Sequence, residues 1–375
     1  MNLSELPTPA LVLDVARVRR NAERMQRRVS DMGARLRPHI KTHKCVEVAR
    51  LQTSAQTPSL TVSTLAEARW FAARGFTDLT YAVPIEPGKF EAAVELARDC
   101  ERLALLTDDA GIPAQLNVAA RAGRVKLDLF LKVDCGYHRC GVEPQTREAF
   151  EIPRRIADAS HLRFAGILTH AGHSYHSRSL EELRAVARHE RDVMVEFAAA
   201  LRAAGLPVPV VSIGSTPTIS TIEHLEGVDE ARPGNYIFFD AFQATLGSCR
   251  FEDCALTVLT SVVHRDATRR KVVIDAGAIA LSKDRGAVDI GDAACGYGRV
   301  LDLEGRDLGL RVAALSQEHG IVEMHDDAAR FDELKVGTRL RILANHSCLT
   351  AAQHPHYNVF EAGRIVDRWQ IQRGW

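Results

Sequence analysis

Apolar residues near the start of the chain recur at steps of three and four: Val15, Val18, Ala22, Met25, Val29 and Met32. That spacing lines one face of a helix. Asp14 can cap it and Gly33 can end it. An extended segment follows, Ala34 to Lys41, with Pro38 inside it. From there short apolar runs alternate with helix-period ones. The predicted strands are Ser59 to Ser63, Leu79 to Val83, Leu103 to Leu106 and Leu127 to Val133, then Phe164 to Thr169, Val208 to Ile213 and Ala231 to Phe239. The clearest helix between them is Leu180 to Ala204. Ser179-x-x-Glu182 is its capping box, and Gly205-Leu206-Pro207 stops it.

With Ala34 to Lys41, this gives eight strands separated by helices. The pattern predicts an α/β fold, a TIM-like (β/α)8 barrel. A doubly wound open sheet is the rival, weakened because no G-x-G-x-x-G follows a strand. After Cys249 extended runs dominate: Ala255 to His264, Lys271 to Ile279, Leu308 to Leu315, Gly320 to Met324 and Thr338 to Leu343. Little helix separates them, so a mostly antiparallel β domain is expected. The expected division is a barrel over residues 1–245 and a β domain over 246–375, with the residues before 15 able to pair with the latter.

The chain has 375 residues, no formal net charge and a pI near 7.3. No long basic block appears, which argues against nucleic acid and anionic membranes as partners. No run approaches the roughly 20 apolar residues that span a bilayer. The apolar run Pro9 to Val15 is broken by Asp14 and has no basic flank, so no targeting segment is read and a cytoplasmic location is expected. Eight cysteines, Cys45, Cys100, Cys135, Cys140, Cys249, Cys254, Cys295 and Cys348, are scattered without a C-x-x-C pair. Buried thiols are expected rather than disulfides.

In a barrel the chemistry sits where strands end. The first predicted strand closes on His39-Ile40-Lys41-Thr42. A lysine desolvated at a barrel mouth becomes a nucleophilic amine; a solvated loop lysine is the plainer alternative. The fifth closes on Asp134-Cys135-Gly136-Tyr137-His138-Arg139, where Arg139 could hold an anion or a ring nitrogen, or merely sit in a surface turn. The sixth closes on Thr169-His170-Ala171-Gly172-His173-Ser174-Tyr175-His176, a spacing that matches no familiar zinc pattern and suits acid–base work or cofactor contact better. The seventh closes on Gly214-Ser215-Thr216-Pro217-Thr218, either a phosphate cradle at a helix start or a simple cap. Pro233-Gly234-Asn235-Tyr236 lies where a second phosphate contact would fall. In the β domain, His346 and Cys348 would share a face if the strand continued. Imidazole and thiolate suit zinc, although zinc sites usually show three or four ligands and an ordinary strand end is the alternative.

Taken together, these motifs resemble one family. Arg37-Pro38-His39-Ile40-Lys41-Thr42 resembles the lysine motif of D-threonine aldolases and eukaryotic-type D-serine dehydratases. Leu168 to Tyr175, Gly214 to Thr218, Gln317-Glu318-His319-Gly320 and Asn345-His346-Ser347-Cys348-Leu349-Thr350 are similar to the dehydratase branch. The resemblance runs from about Thr8 to Trp375 in motif order.

It implies the alanine racemase-like fold (fold-type III), a homodimer, and pyridoxal 5'-phosphate on Lys41 as a Schiff base. It further implies phosphate contacts from Ser215, Thr216, Gly234 and Asn235, with Gly214 and Tyr236 beside them. Tyr175 and His170 would lie near the cofactor, and Arg139 near its ring. A divalent metal, zinc above others, would sit on His346 and Cys348, where aldolases of the family tend to carry His-x-Asp. The implied activity is dehydration of a 3-hydroxy D-amino acid, D-threo-3-hydroxyaspartate or D-serine, to a 2-oxo acid and ammonia. Cleavage of Cα–Cβ by a D-threonine-type aldolase is the alternative; a non-catalytic cofactor-binding protein or a racemase stands further off.

Overall fold

The computed structural model describes residues 1–53, 58–291, 296–324 and 328–375, so Cys295 lies outside the described residues. The described chain separates into two units: Met1–Ala22 with Asn235–Arg373, and Glu23–Gly234 with Gly374–Trp375.

Strand β1 (Ala10–Asp14) belongs to the first of these. The second is built on eight parallel strands: β2 (Arg35–Leu36), β3 (Ser59–Val62), β4 (Asp78–Pro84), β5 (Arg102–Thr107), β6 (Leu127–Lys132), β7 (Leu162–Leu168), β8 (Val211–Ile213) and β9 (Glu230–Ala231). They pair in the order β2-β9-β8-β7-β6-β5-β4-β3. The ring closes past the end of β2, where a parallel bridge joins His39 to Thr61 and the Thr61 N–H donates to the Pro38 carbonyl at 2.9 Å. Helices follow the strands, the longest being Leu180–Ala203. Ser179 accepts from the Glu182 N–H at 3.1 Å, and the Glu182 carboxylate reaches back to the Arg178 N–H at 2.8 Å. The helix Val15–Asp31 begins at Asp14, whose carboxylate takes the Arg17 N–H at 3.0 Å.

Of the predicted barrel strands, Val208 to Ile213 is trimmed at its start to Val211–Ile213, and two others end well before their apolar runs do. The first ends at Leu36, because Pro38 cannot donate to a ladder and the chain turns into a 3-10 segment at Ile40–Thr42. The eighth ends at Ala231, because Pro233-Gly234 breaks it and Asn235–Ile237 is another 3-10 turn.

Charged side chains line one end of the barrel. Glu230 of β9, fully buried, takes Arg37 Nε at 2.6 Å and Arg35 at 2.7 Å. Arg37 also grips Asp78 of β4 with two hydrogen bonds, at 2.8 and 3.0 Å. Arg102 of β5 joins Asp78 and Asp128, and Arg163 of β7 joins Asp128. Burial would suppress the Arg37 charge, but Glu230 and Asp78 more than restore it.

In the other unit β1 lies antiparallel to β10 (Leu256–Asp266). The sheet continues through β11 (Lys271–Ile274), β12 (Arg299–Leu301), β13 (Asp307–Leu315), β14 (Gly320–Glu323), β15 (Arg339–Leu343), β16 (His356–Glu361) and β17 (Arg364–Gln370). Its order is β11-β14-β13-β12-β15-β10-β1-β16-β17, with β10 also paired to β11. Among the described pairs only β1–β16 is parallel. The predicted extension of β11 to Ile279 is cut at Ile274, and Ala278–Leu281 is helical. Core positions alternate along the strands, as in β11 with Val272 and Ile274 inward. No described helix is long and apolar enough to cross a membrane.

Candidate active site

The loops at the C-terminal ends of the barrel strands hold most of the predicted residues. Past β2, the 3-10 turn Ile40–Thr42 presents Lys41 at the surface, its backbone N–H 3.4 Å from His39 Nδ1. The Lys41 charge acts on two imidazoles, His39 and His170. Burial first, and Lys41 second, hold both rings well below the usual histidine range, so both are neutral at neutral pH. Gly234 follows β9 because a side chain there would meet backbone: a Cβ would stand 2.9 Å from the His39 carbonyl oxygen.

Past β6, Asp134 organises the next loop. Its Oδ1 accepts the N–H groups of Gly136, Tyr137 and His138 at 2.9–3.1 Å. The Tyr137 ring packs edge-on to His170, centroids 6.4 Å apart, and Arg139 lies over the same ring at 5.2 Å. Gly172 admits that ring, since a Cβ would stand 2.2 Å from it. Past β7, Tyr175 is half-buried in the 3-10 turn Gly172–His176. The buried Ser174 hydroxyl lies 3.2 Å from that of Ser215.

Past β8, Gly214 adopts φ +111° and Ser215 caps the short helix Thr216–Thr221. The Ser215 hydroxyl faces the Thr218 N–H at 3.3 Å, while Thr216 and Pro217 occupy the first turn. Such a turn exposes N–H groups and hydroxyls to an anion.

Three buried residues of the barrel, Glu190, Arg232 and Lys132, escaped the sequence reading. Glu190 Oε1 accepts the N–H groups of Ala171 at 2.9 Å and Gly214 at 3.2 Å, tying the His170 loop to the Ser215 loop. Burial raises its carboxyl above the usual range. Its signal was available: Leu183, Ala187, Glu190 and Met194 form one buried helical stripe, and a charge does not belong in it unpaired. Arg232 hydrogen-bonds the Ser212 hydroxyl and the Thr169 carbonyl, and burial pulls its guanidinium down to about 10. Lys132 of β6 is a buried lysine, with Nζ 3.0 Å from the Val133 carbonyl; burial lowers its pKa.

In the other unit, His346 and Cys348 adjoin as predicted but by different means. The strand does not continue; His346 is the N-cap of a helix, Ser347–Gln353, and Cys348 lies in its first turn. His346 Nδ1 is 2.9 Å from Asp284 Oδ2. Burial opposes charge on the ring, but Cys348 and Asp284 outweigh it and raise its pKa well above the usual range. Asn235 turns its side-chain amide to Asp240 at 2.7 Å, Ser347 at 3.1 Å and Cys348 Sγ at 3.6 Å. That leaves the Asn235 backbone N–H, not its amide, for an anion. Tyr236 is fully buried in the same turn. None of the seven described cysteines is in a disulfide, and no cluster of three or more His, Cys, Asp or Glu among the described residues is arranged to hold a metal.

These residues suit two groups that the fold family implies. Gly214, whose own N–H is taken by Glu190, shapes the turn, and the glycine backbone at Gly234 with the hydroxyls of Ser215 and Thr216 fits a phosphate. An imidazole whose Nδ1 faces a carboxylate, beside a thiol, fits a divalent metal with open positions.

Family models match along most of the chain. The model described as "Alanine racemase, N-terminal domain" covers residues 13–241, and "Putative serine dehydratase domain" covers 255–360. D-threo-3-hydroxyaspartate dehydratase of Delftia sp. (strain HT23) is 42% identical over 378 residues, spanning 100% of this chain and 99% of that protein. D-serine dehydratase of Dictyostelium discoideum is 32% identical over 394 residues, spanning 100% and 98%. A solved structure of a cysteine-to-alanine variant of D-threo-3-hydroxyaspartate dehydratase, in the metal-free form, superposes with a TM-score of 0.95 at 41% identity, over 100% of both chains. The chain therefore has the alanine racemase-like fold and belongs to the family of the D-threo-3-hydroxyaspartate and D-serine dehydratases, which makes it a lyase.

Proposed function

We propose that the chain dehydrates a 3-hydroxy D-amino acid, D-threo-3-hydroxyaspartate or D-serine, to a 2-oxo acid and ammonia. Lys41 would carry pyridoxal 5'-phosphate, with Ser215, Thr216 and the backbone at Gly234 and Asn235 on its phosphate and Gly214 shaping the turn beside it. Tyr236 would contact that phosphate, Arg139 and His170 would flank the ring, and Tyr175 would lie near it. His346 and Cys348 would hold zinc or another divalent metal. When bound, the first group supplies an electron sink for charge left at Cα, and the second supplies Lewis acidity to a β-oxygen.

The chain's own residues do the rest. Lys41, as a free amine, takes the proton from Cα. His39 and His170, held neutral chiefly by burial, add no cation to compete with that transfer. Asp134 fixes the loop that carries Arg139, and Glu190 fixes the two loops that carry His170 and Ser215. The observation that carries the reading is Lys41 at the end of β2, facing two neutral imidazoles within one ring of strand-end loops. Cys348 favours loss of the β-hydroxyl over Cα–Cβ cleavage, because the aldolase pattern places a carboxylate there. The reading includes a homodimer in the cytoplasm.

The test is a product assay with D-serine, D-threo-3-hydroxyaspartate and D-threonine. Equal amounts of 2-oxo acid and ammonia are expected. Aldehyde with glycine would replace this reading by the aldolase one.

A further inference from the structure

We propose that Asp284 and Asn235 are positioning residues for the metal pair: Asp284 sets the His346 ring and Asn235 sets the Cys348 sulfur. The inference rests on the metal reading above. Asp284 Oδ2 lies 2.9 Å from His346 Nδ1. A ring that donates its Nδ1 proton to a carboxylate keeps its lone pair on Nε2, so one nitrogen only is left to ligate. Asp284 is itself fixed. Its Oδ1 accepts the Gly286 N–H at 2.8 Å, and its carbonyl accepts the Asn345 amide at 3.0 Å. Asn345 also donates to the Gly296 carbonyl at 2.7 Å, one residue before His346 in the chain. The carboxylate is thereby held from both sides of the loop that faces the ring.

Asn235 works on the sulfur. Its amide nitrogen is 2.7 Å from Asp240 Oδ2 and 3.6 Å from Cys348 Sγ, within the reach of an N–H to sulfur hydrogen bond. Asp240 also dictates which end of the amide points inward. Exchanging nitrogen for oxygen would set the amide oxygen against the buried carboxylate, which repels it. The same Asp240 oxygen accepts the Ser347 N–H at 2.9 Å and so fixes the helix turn that carries Cys348. The amide donor and the fixed turn together hold the sulfur in one direction.

The measurement is zinc affinity of metal-stripped protein, read by competition with a chromophoric chelator. Asp284→Ala is expected to weaken zinc by about 10–100-fold, the usual effect of losing a partner behind a ligand. Asp284→Asn recovers part of that loss, because its amide oxygen still accepts from Nδ1, and it serves where the alanine variant fails to fold. Asn235→Ala is expected to weaken zinc and to move the sulfur-to-metal band of the cobalt-loaded protein; Asp284→Ala leaves that band in place. Parental zinc affinity in Asp284→Ala and Asn235→Ala, with zinc lost in His346→Ala and Cys348→Ala, would overturn this proposal alone. Retention of zinc by His346→Ala and Cys348→Ala would overturn the metal reading, and the proposal with it.

Discussion

Gly214 shows how much a single position decides. Its φ of +111° is open to glycine and costly for other residues, and a Cβ would stand 2.8 Å from Ile219. Gly214→Ala must therefore shift the turn or push Ile219 off the helix that Ser215 caps. We expect a stability loss of about 1–3 kcal/mol and weaker retention of pyridoxal phosphate, read by thermal unfolding and by cofactor titration. Parental values in both would show that the turn tolerates a side chain. At this scale the sequence was legible where a motif announced itself: Lys41, Gly214-Ser215-Thr216, His346 and Cys348 were all visible. Asp284 and Asp240 were not, because each acts on residues more than 60 or 100 positions away and no local pattern records such a meeting.

Among the elements, the barrel strands carry a stability device of their own. Glu230 on β9 meets Arg35 on β2 and Arg37 just past it, and burial is outweighed by those two cations, which hold its carboxyl far below the usual range. A carboxyl lowered on folding contributes stability that is fully present above the unfolded pKa, about 4.3 for Glu. That contribution is lost as pH falls further, towards the folded value. Acid unfolding should therefore steepen below about pH 4.3. Glu230→Gln leaves Arg37 buried without its ion partner on β9 and should cost about 3–5 kcal/mol at neutral pH. It should also flatten the acid slope. Denaturant midpoints at neutral and acid pH check both; equal midpoints for variant and parent at neutral pH would remove the pair from the account. Elements were read well where period and punctuation agreed, as in β3 to β7 and the helix Leu180–Ala203. They were misread where backbone chemistry overrode an apolar run, at Pro38, at Pro233-Gly234 and beyond Ile274. The strand assumed through His346 failed because the chain enters a helix at Ser347, and only that helix start brings ring and thiol together. Strands β12, β16 and β17 were passed over; β17 carries mostly polar and exposed residues and offers little alternation to see.

For the whole molecule, the central claim is that one particular lysine carries the cofactor and takes the proton. The barrel holds two lysines that compete for the role. Lys41 stands at the end of β2 beside two neutral imidazoles, whereas Lys132 is buried with its amine on the Val133 carbonyl. Lys132 has chemical grounds of its own, since burial that lowers a lysine pKa also frees its amine. Exposure and the surrounding strand-end loops favour Lys41. The most direct measurement is borohydride reduction of the cofactor-loaded protein, which fixes the cofactor to the lysine that bears it, followed by peptide mapping. The account predicts the label on the peptide containing Lys41, and its disappearance in Lys41→Ala. A label on Lys132, or an undiminished label in Lys41→Ala, would contradict it.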